Sequence, residues 1–220
     1  MKKTLLCIGF AIAATGSAQG AMITHTGSKM ITTTSWTENF NIPQFDDQGG
    51  ARVLDTVKLT LNGSVEGDAK VESVNMGPST IQINLQATIK LSHMGDDLAV
   101  VIPVANETFN AGSFDGSIDF TGPSGAEFPN LVGADMTMTT LVNGLDDLSA
   151  FIGVGTIPLV ANAVGSSTGS GAGNLILQFA TDAGLDFEVK YDYHVVPTPG
   201  AAGLLAFAGV AGSLRRRRNA

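Results

Sequence analysis

Between Ser79 and His93 the chain alternates strictly: Ile81, Ile83, Leu85, Ala87, Ile89 and Leu91 are interleaved with Gln82, Asn84, Gln86, Thr88 and Lys90. A period of two puts successive side chains on opposite faces, so this stretch predicts a strand with one face buried and one wet. The same pattern recurs in Val57-Leu59-Leu61 and in Leu185, Phe187, Val189, Tyr191, Tyr193 and Val195. Apolar or threonine-rich runs at Met30 to Trp36, Ala99 to Val104, Gly155 to Val164 and Leu175 to Phe179 predict further strands. Between them lie turn formers: Asp46-Asp47-Gln48-Gly49-Gly50, Gly77-Pro78, Gly122-Pro123 and Gly165-Ser166-Ser167. Asp146 to Phe151 fits a single helical turn, and no long amphipathic helix is present. Strands separated by such turns predict an all-β domain, a single antiparallel β-sandwich of jelly-roll-like or Ig-like kind. There is no internal repeat and no linker that would split it.

The two ends follow different rules. Lys2 and Lys3 precede an apolar stretch from Leu5 to Ala14 and a small-residue exit, Thr15 to Ala21. That is the three-part layout of a secretory signal peptide over residues 1–20, with cleavage after Ala18 or Gly20. Its apolar run is too short to span a bilayer. At the other end, Val196-Pro197-Thr198-Pro199-Gly200 leads into an apolar run to Leu214, which abuts Arg215, Arg216, Arg217 and Arg218. Basic residues flank membrane segments on the cytoplasmic side. Residues 196–220 therefore predict a sorting signal: motif, short transmembrane helix from about Pro199, and a cytoplasmic anchor of four arginines. The body, residues 21–195, then faces outward.

Charge sharpens that picture. All 20 acidic residues fall in the body against six basic ones, Lys29, Arg52, Lys58, Lys70, Lys90 and Lys190, leaving it near −14. Such a surface repels phosphate backbones, so no nucleic-acid partner is expected. The one cysteine, Cys7, lies in the signal segment, so the body has neither a disulfide nor a thiol nucleophile. An exported body without disulfides rests on its core, and this one is large enough to have one.

Two resemblances follow from these residues. Val196-Pro197-Thr198-Pro199, the apolar run and the arginines resemble the PEP-CTERM sorting signal of exported bacterial proteins, with Thr198 where Glu is usual. The resemblance implies recognition by an exosortase-type transpeptidase that cuts near the motif, after export through signal peptidase and the Sec machinery. The body resembles the choice-of-anchor E domain through Trp36-Thr37, Ile42 to Asp46, Val57 to Val65, Phe114 to Gly125 and Gly169 to Phe179. That likeness implies an exported domain on an exchangeable anchor and brings no catalytic residue with it.

A search for chemistry yields little. His25, His93 and His194 have no metal-ligand or triad spacing, and His194, beside the tail, is expected to face solvent. No serine sits in a Gly-x-Ser-x-Gly elbow. Gly169-Ser170-Gly171-Ala172-Gly173 lacks the helix that would complete a phosphate-binding turn and reads as a hairpin loop. Asp46, Asp47, Asp115 and Asp119, with Asp96-Asp97 and Asp146-Asp147, are the oxygen-rich turns where calcium would bind, although aspartate favours turns for backbone reasons alone. Paired carboxylates suit a glycosidase, but Trp36 is the only tryptophan, and Phe45, Phe114 and Phe120 are expected in strand cores. The expectation is a non-enzymatic exported protein of the cell envelope or extracellular matrix, structural or adhesive, without cofactor. A glycan- or calcium-binding module, with envelope polysaccharide as partner, is the alternative, and an unrecognised secreted hydrolase comes third.

Overall fold

A computed structural model describes residues 20–171 and 173–196. Residues 1–19, the stretch Pro197 to Gly200, the apolar run and Arg215 to Arg218 lie outside the described residues. The signal peptide, most of the sorting motif, the expected transmembrane helix and the arginine anchor therefore remain sequence expectations. Among the described residues no helix is long and apolar enough to cross a membrane.

The described chain forms ten strands: β1 (Gly20–Thr33), β2 (Trp36–Pro43), β3 (Arg52–Ser73), β4 (Ser79–His93), β5 (Asp96–Val101), β6 (Val104–Ala111), β7 (Gly125–Val142), β8 (Thr156–Gly165), β9 (Thr168–Ser170) and β10 (Leu175–Val195). One 3-10 turn, Ser149–Phe151, falls where the sequence predicts a helical turn. One sheet runs β1-β10-β3-β7; the other runs β2-β8-β4-β5, with β6 and β9 also paired to β4. Every named pairing is antiparallel.

β4 is the axis of the second sheet, and both its flanks are interrupted strands. Ile89 pairs with Val101 and Gln86 with Val104, so β5 and β6 keep one register across Ile102-Pro103. Pro103 has no N–H to give the ladder, and the Ile102 N–H donates to Asp135 Oδ2 instead, at 2.8 Å. On the other flank Ala87 pairs with Gly165 and Asn84 with Thr168, again one register across Ser166-Ser167. There a side chain replaces a backbone partner: the Gln86 N–H donates to Ser167 Oγ at 3.1 Å.

The core follows the alternation. Ile81, Ile83, Leu85, Ala87, Ile89 and Leu91 are all 0% exposed. They meet Leu59, Leu61 and Val65 of β3 and Leu185, Phe187, Val189 and Tyr191 of β10 in one cluster that joins the two sheets. Burying each large aliphatic or aromatic side chain contributes roughly 1.5–3 kcal/mol.

Several sequence expectations are corrected. The run Met30 to Trp36 holds the end of β1, a bend at Thr34-Ser35 and the start of β2. The bend is held there by two bonds to the Thr181 carbonyl, from the Thr34 N–H and the Thr34 hydroxyl. Leu175 to Phe179 and Leu185 to Val195 are one strand, because pairing with β3 continues through Ala180-Thr181-Asp182. Phe45 is buried as expected, but Phe114 and Phe120 are half-buried in the loop between β6 and β7 rather than in strand cores.

The ends of the described chain meet. Gly20 pairs with His194, Val195 pairs with Arg52, and the Val196 N–H donates to the Ala51 carbonyl at 2.9 Å. Loops 44–51 and 143–155 share this pole, tied by the Phe45–Ile152 bridge and the Asn143 N–H to Asp55 carbonyl bond. Loops 74–78 and 112–124, with Asn174, form the opposite pole: the Val74 N–H donates to the Asn174 carbonyl and the Phe114 N–H to the Asn75 carbonyl.

Candidate functional site

The four aspartates singled out for calcium are divided between the poles. Asp46 and Asp47 sit in the β2–β3 loop, Asp115 and Asp119 in the β6–β7 loop. β3 alone separates the two loops by roughly 60 Å of extended chain. Each carboxylate already closes its own turn. Asp46 Oδ1 accepts from the Gln48 N–H at 2.9 Å, Asp47 Oδ1 from Gly49 at 3.0 Å, and Asp115 Oδ1 from Ser117 at 3.0 Å. Asp119 Oδ1 accepts from the Thr121 hydroxyl and N–H, which hold its carboxyl below the usual range. Asp147 does the same with the Ser149 N–H. Among the described residues no three His, Cys, Asp or Glu groups come together as metal ligands would.

His194 keeps 35% of its side chain exposed, as its place beside the tail suggests, but its ring is also engaged. Its Nδ1 lies 2.8 and 2.9 Å from the two Asp55 oxygens. β3 carries an extra residue here, since Asp192 pairs with Thr56 but Tyr193 with Leu54, and that bulge aims Asp55 at the histidine. The pair has the first two members of a hydrolytic triad, but no hydroxyl is bonded to the imidazole among the described residues. His25 packs edge-on against Tyr191 at 5.5 Å between ring centres, and burial holds its pKa below the ordinary value. His93 Nδ1 meets the Pro158 carbonyl at 2.8 Å. The three histidines serve three separate local contacts.

Two groups are buried with a polar atom inside: Tyr191, which the alternation already puts on the inward face, and Glu72, which nothing in the local pattern marks. Tyr191 is 0% exposed, donates to the Pro43 carbonyl at 3.0 Å, and has its pKa pushed up to about 12 by burial. Glu72, at the inner end of β3, is also 0% exposed. Its Oε2 accepts from the Phe120 N–H at 2.7 Å, while Oε1 has no partner among the described residues. Phe120 has φ of +59°, so the carboxylate pins the β6–β7 loop at a left-handed residue. Gly169-Ser170-Gly171 is no loose hairpin: Thr168–Ser170 is β9, and a Cβ on Gly169 would press into Leu177 at 2.6 Å.

A cavity of about 130 Å³ opens between the sheets, lined by Val57, Leu59, Asp97, Leu98, Thr139, Leu141 and Phe151. That is below the roughly 300–1,000 Å³ of small-molecule sites. Its polar groups are already engaged: Asp97 with Lys90 at 2.6 Å, and the Thr139 hydroxyl with the Leu98 carbonyl at 3.1 Å.

The two outer faces differ more than any cleft. Registers and alternation put Glu66, Asp68, Asp182, Asp186 and Glu188 on the outside of the first sheet, with Glu66 directly across from Asp182. On the outside of the second sheet many cross-strand partners are amides and hydroxyls, beside Val100, Val104, Val160 and Val164. Thr80 pairs with Asn110, Gln82 with Thr108 and Ser170, Asn84 with Asn106 and Thr168, and Asn162 with Thr37. Lys90 and Asp97 are the charges in that array, and they neutralise each other.

No protein-family model and no curated protein matches this chain. Among solved structures, the T13 particle of infectious bursal disease virus is 10% identical, with 88% of this chain and 44% of that chain covered and a TM-score of 0.20. T=1 particles derived from the same virus are 13% identical over 96% of this chain and 52% of that chain, with a TM-score of 0.17. The chain spans about half the length of these structures. At such scores neither function nor assembly passes from them to this chain.

Proposed function

We propose that this chain is an exported protein of the cell envelope or extracellular matrix. Its role is structural or adhesive and non-enzymatic, and it is sorted through the signal that begins at Val196. Its body is a jelly roll: with β5/β6 and β8/β9 each counted as one interrupted strand, the order is that of two Greek keys. The observation that carries the reading is the common pole of the two described ends. Gly20 and Val196 leave side by side, so a signal peptide and a membrane tail attach at one place and leave the rest of the body free. The motif also begins one residue beyond β10, so a cut within Pro197 to Gly200 would break no described hydrogen bond. With a body near −14, partners with anionic backbones are disfavoured.

Mass spectrometry of both mature termini, in membrane and secreted fractions, tests this. The expected N-terminus is Gln19 or Ala21 and the expected C-terminus lies within Pro197 to Gly200. An intact Met1, or a chain ending at Ala220 in every fraction, would overturn the reading.

A further inference from the structure

The half of β4 that lies away from the terminal pole carries two adjacent rows of uncharged polar side chains on its outer face. One row is Thr108, Gln82 and Ser170; the next is Asn106, Asn84 and Thr168. Neighbours stand about 4.8 Å apart across the strands and about 7 Å along them. The rows are fixed from within: the Thr108 hydroxyl donates to Gln82 Oε1 at 3.0 Å and the Asn84 amide to Thr168 Oγ1 at 3.4 Å. Among the described residues, those bonds leave the Gln82 amide nitrogen and the Asn84 side-chain oxygen without a protein partner. Every group in the tile is an amide or hydroxyl, and both kinds can donate as well as accept.

Among the described residues no charge enters the tile. Glu107 alternates to the other side of β6 through its pairing with Ile83, and Lys90 and Asp97 are paired on the other half of β4. Elsewhere the body carries an excess of acid, and the outer face of the opposite sheet holds Glu66, Asp182, Asp186 and Glu188 alongside Lys58, Lys70 and Lys190. An acidic surface with one neutral, donor-and-acceptor face repels polyanions and admits an uncharged chain of hydroxyls. We propose that this tile binds a neutral polysaccharide laid across β6, β4 and β9. The inference deepens the adhesive role and rests on it only for where the polymer is met, since binding itself needs no tail. A body held by its terminal pole leaves the tile uncovered. Single hydrogen bonds contribute little net, about 0.5–1.5 kcal/mol, so one tile binds weakly and repeated engagement along a polymer supplies avidity.

Native electrophoresis of the full chain, in gels containing dextran, amylose or laminarin, and in alginate gels for contrast, tests the proposal. At least one neutral polymer is expected to retard the wild type, and alginate is not. Asn84→Asp with Asn106→Asp, near-isosteric but charged, is expected to weaken retardation about tenfold or more. Asn62→Asp, on the outer face of the other sheet, is expected to leave it unchanged. If the double aspartate variant does not fold, Gln82→Ala with Thr108→Ala takes its place with the same expectation. No retardation by any neutral polymer, equal retardation by alginate, or wild-type retardation of the tile variant would overturn the proposal. So would sedimentation showing that the tile joins two copies instead. Correct mature termini with no retardation would reject the tile alone; retardation with unprocessed termini would reject the sorting reading alone.

Discussion

Two buried polar side chains carry testable consequences in opposite directions. The Tyr191 hydroxyl is a donor to Pro43, and burial raises its pKa from the ordinary 10.0 to about 12. The folded state therefore holds this proton more tightly than the unfolded chain does. Its contribution is complete below pH 10 and is lost as pH rises towards 12. Denaturant midpoints taken between pH 9 and 12 are expected to fall for the wild type, and to fall less steeply for Tyr191→Phe. Glu72 presents the reverse problem, a carboxylate with one satisfied oxygen and one orphan. Glu72→Ala leaves the Phe120 N–H without its acceptor and is expected to cost about 1–3 kcal/mol. Glu72→Gln keeps an acceptor for that N–H and removes the buried charge, so it is expected to lie within about 1 kcal/mol of wild type or above it. A Gln variant as damaging as the Ala variant would show that the carboxylate's charge, rather than its acceptor, holds the loop.

Strands differ in how openly they declare themselves, and the cause is where each one sits. β4 is paired on both edges and packed on one face, so its apolar alternation runs unbroken, and all six inward positions are fully buried. Leu85→Ala is expected to cost about 2–5 kcal/mol, read as a shift in denaturant midpoint. β7 is an edge strand whose outward positions include Met136 and Met138, 62% and 61% exposed, so apolar residues lie on both faces and the period blurs. Met136→Ala is accordingly expected to stay within about 0.5 kcal/mol of wild type. β1, the other edge of that sheet, is threonine- and serine-rich on its outer side and escaped notice for a related reason. The interruption at Ser166-Ser167 was legible as punctuation, whereas Pro103 falls inside the single strand expected over Ala99 to Val104 and instead parts β5 from β6. The register that each parted pair shares with β4 was not legible, because register is a property of pairing and not of one segment. The candidate tile shares that fate: Gln82, Asn84, Asn106, Thr108, Thr168 and Ser170 come from three separate stretches that only β4 brings together. The Asp55–His194 pair likewise spans 139 residues of sequence and depends on a bulge.

At the scale of the whole molecule, the question is whether the body is finished where the proposed tail begins. Val195 closes the β10 pairing with Arg52, and the Val196 N–H makes the last described bond, to Ala51. Beyond it no described group depends on the chain. A stop codon in place of Pro197 is therefore expected to move the protein from the membrane fraction to the medium while its melting temperature stays within about 2 °C of the wild-type value. A stop in place of Tyr193 is a sharper cut. It removes the imidazole from Asp55, the Tyr193 ring from Phe45 at 5.0 Å, and the Arg52 guanidinium's place over that ring. That chain is expected to melt several degrees lower, since each kcal/mol lost is worth about 2–4 °C in a body of this size. Should the Pro197 stop leave the protein in the membrane fraction, the tail is not the anchor, and the body's own surface would have to hold it there.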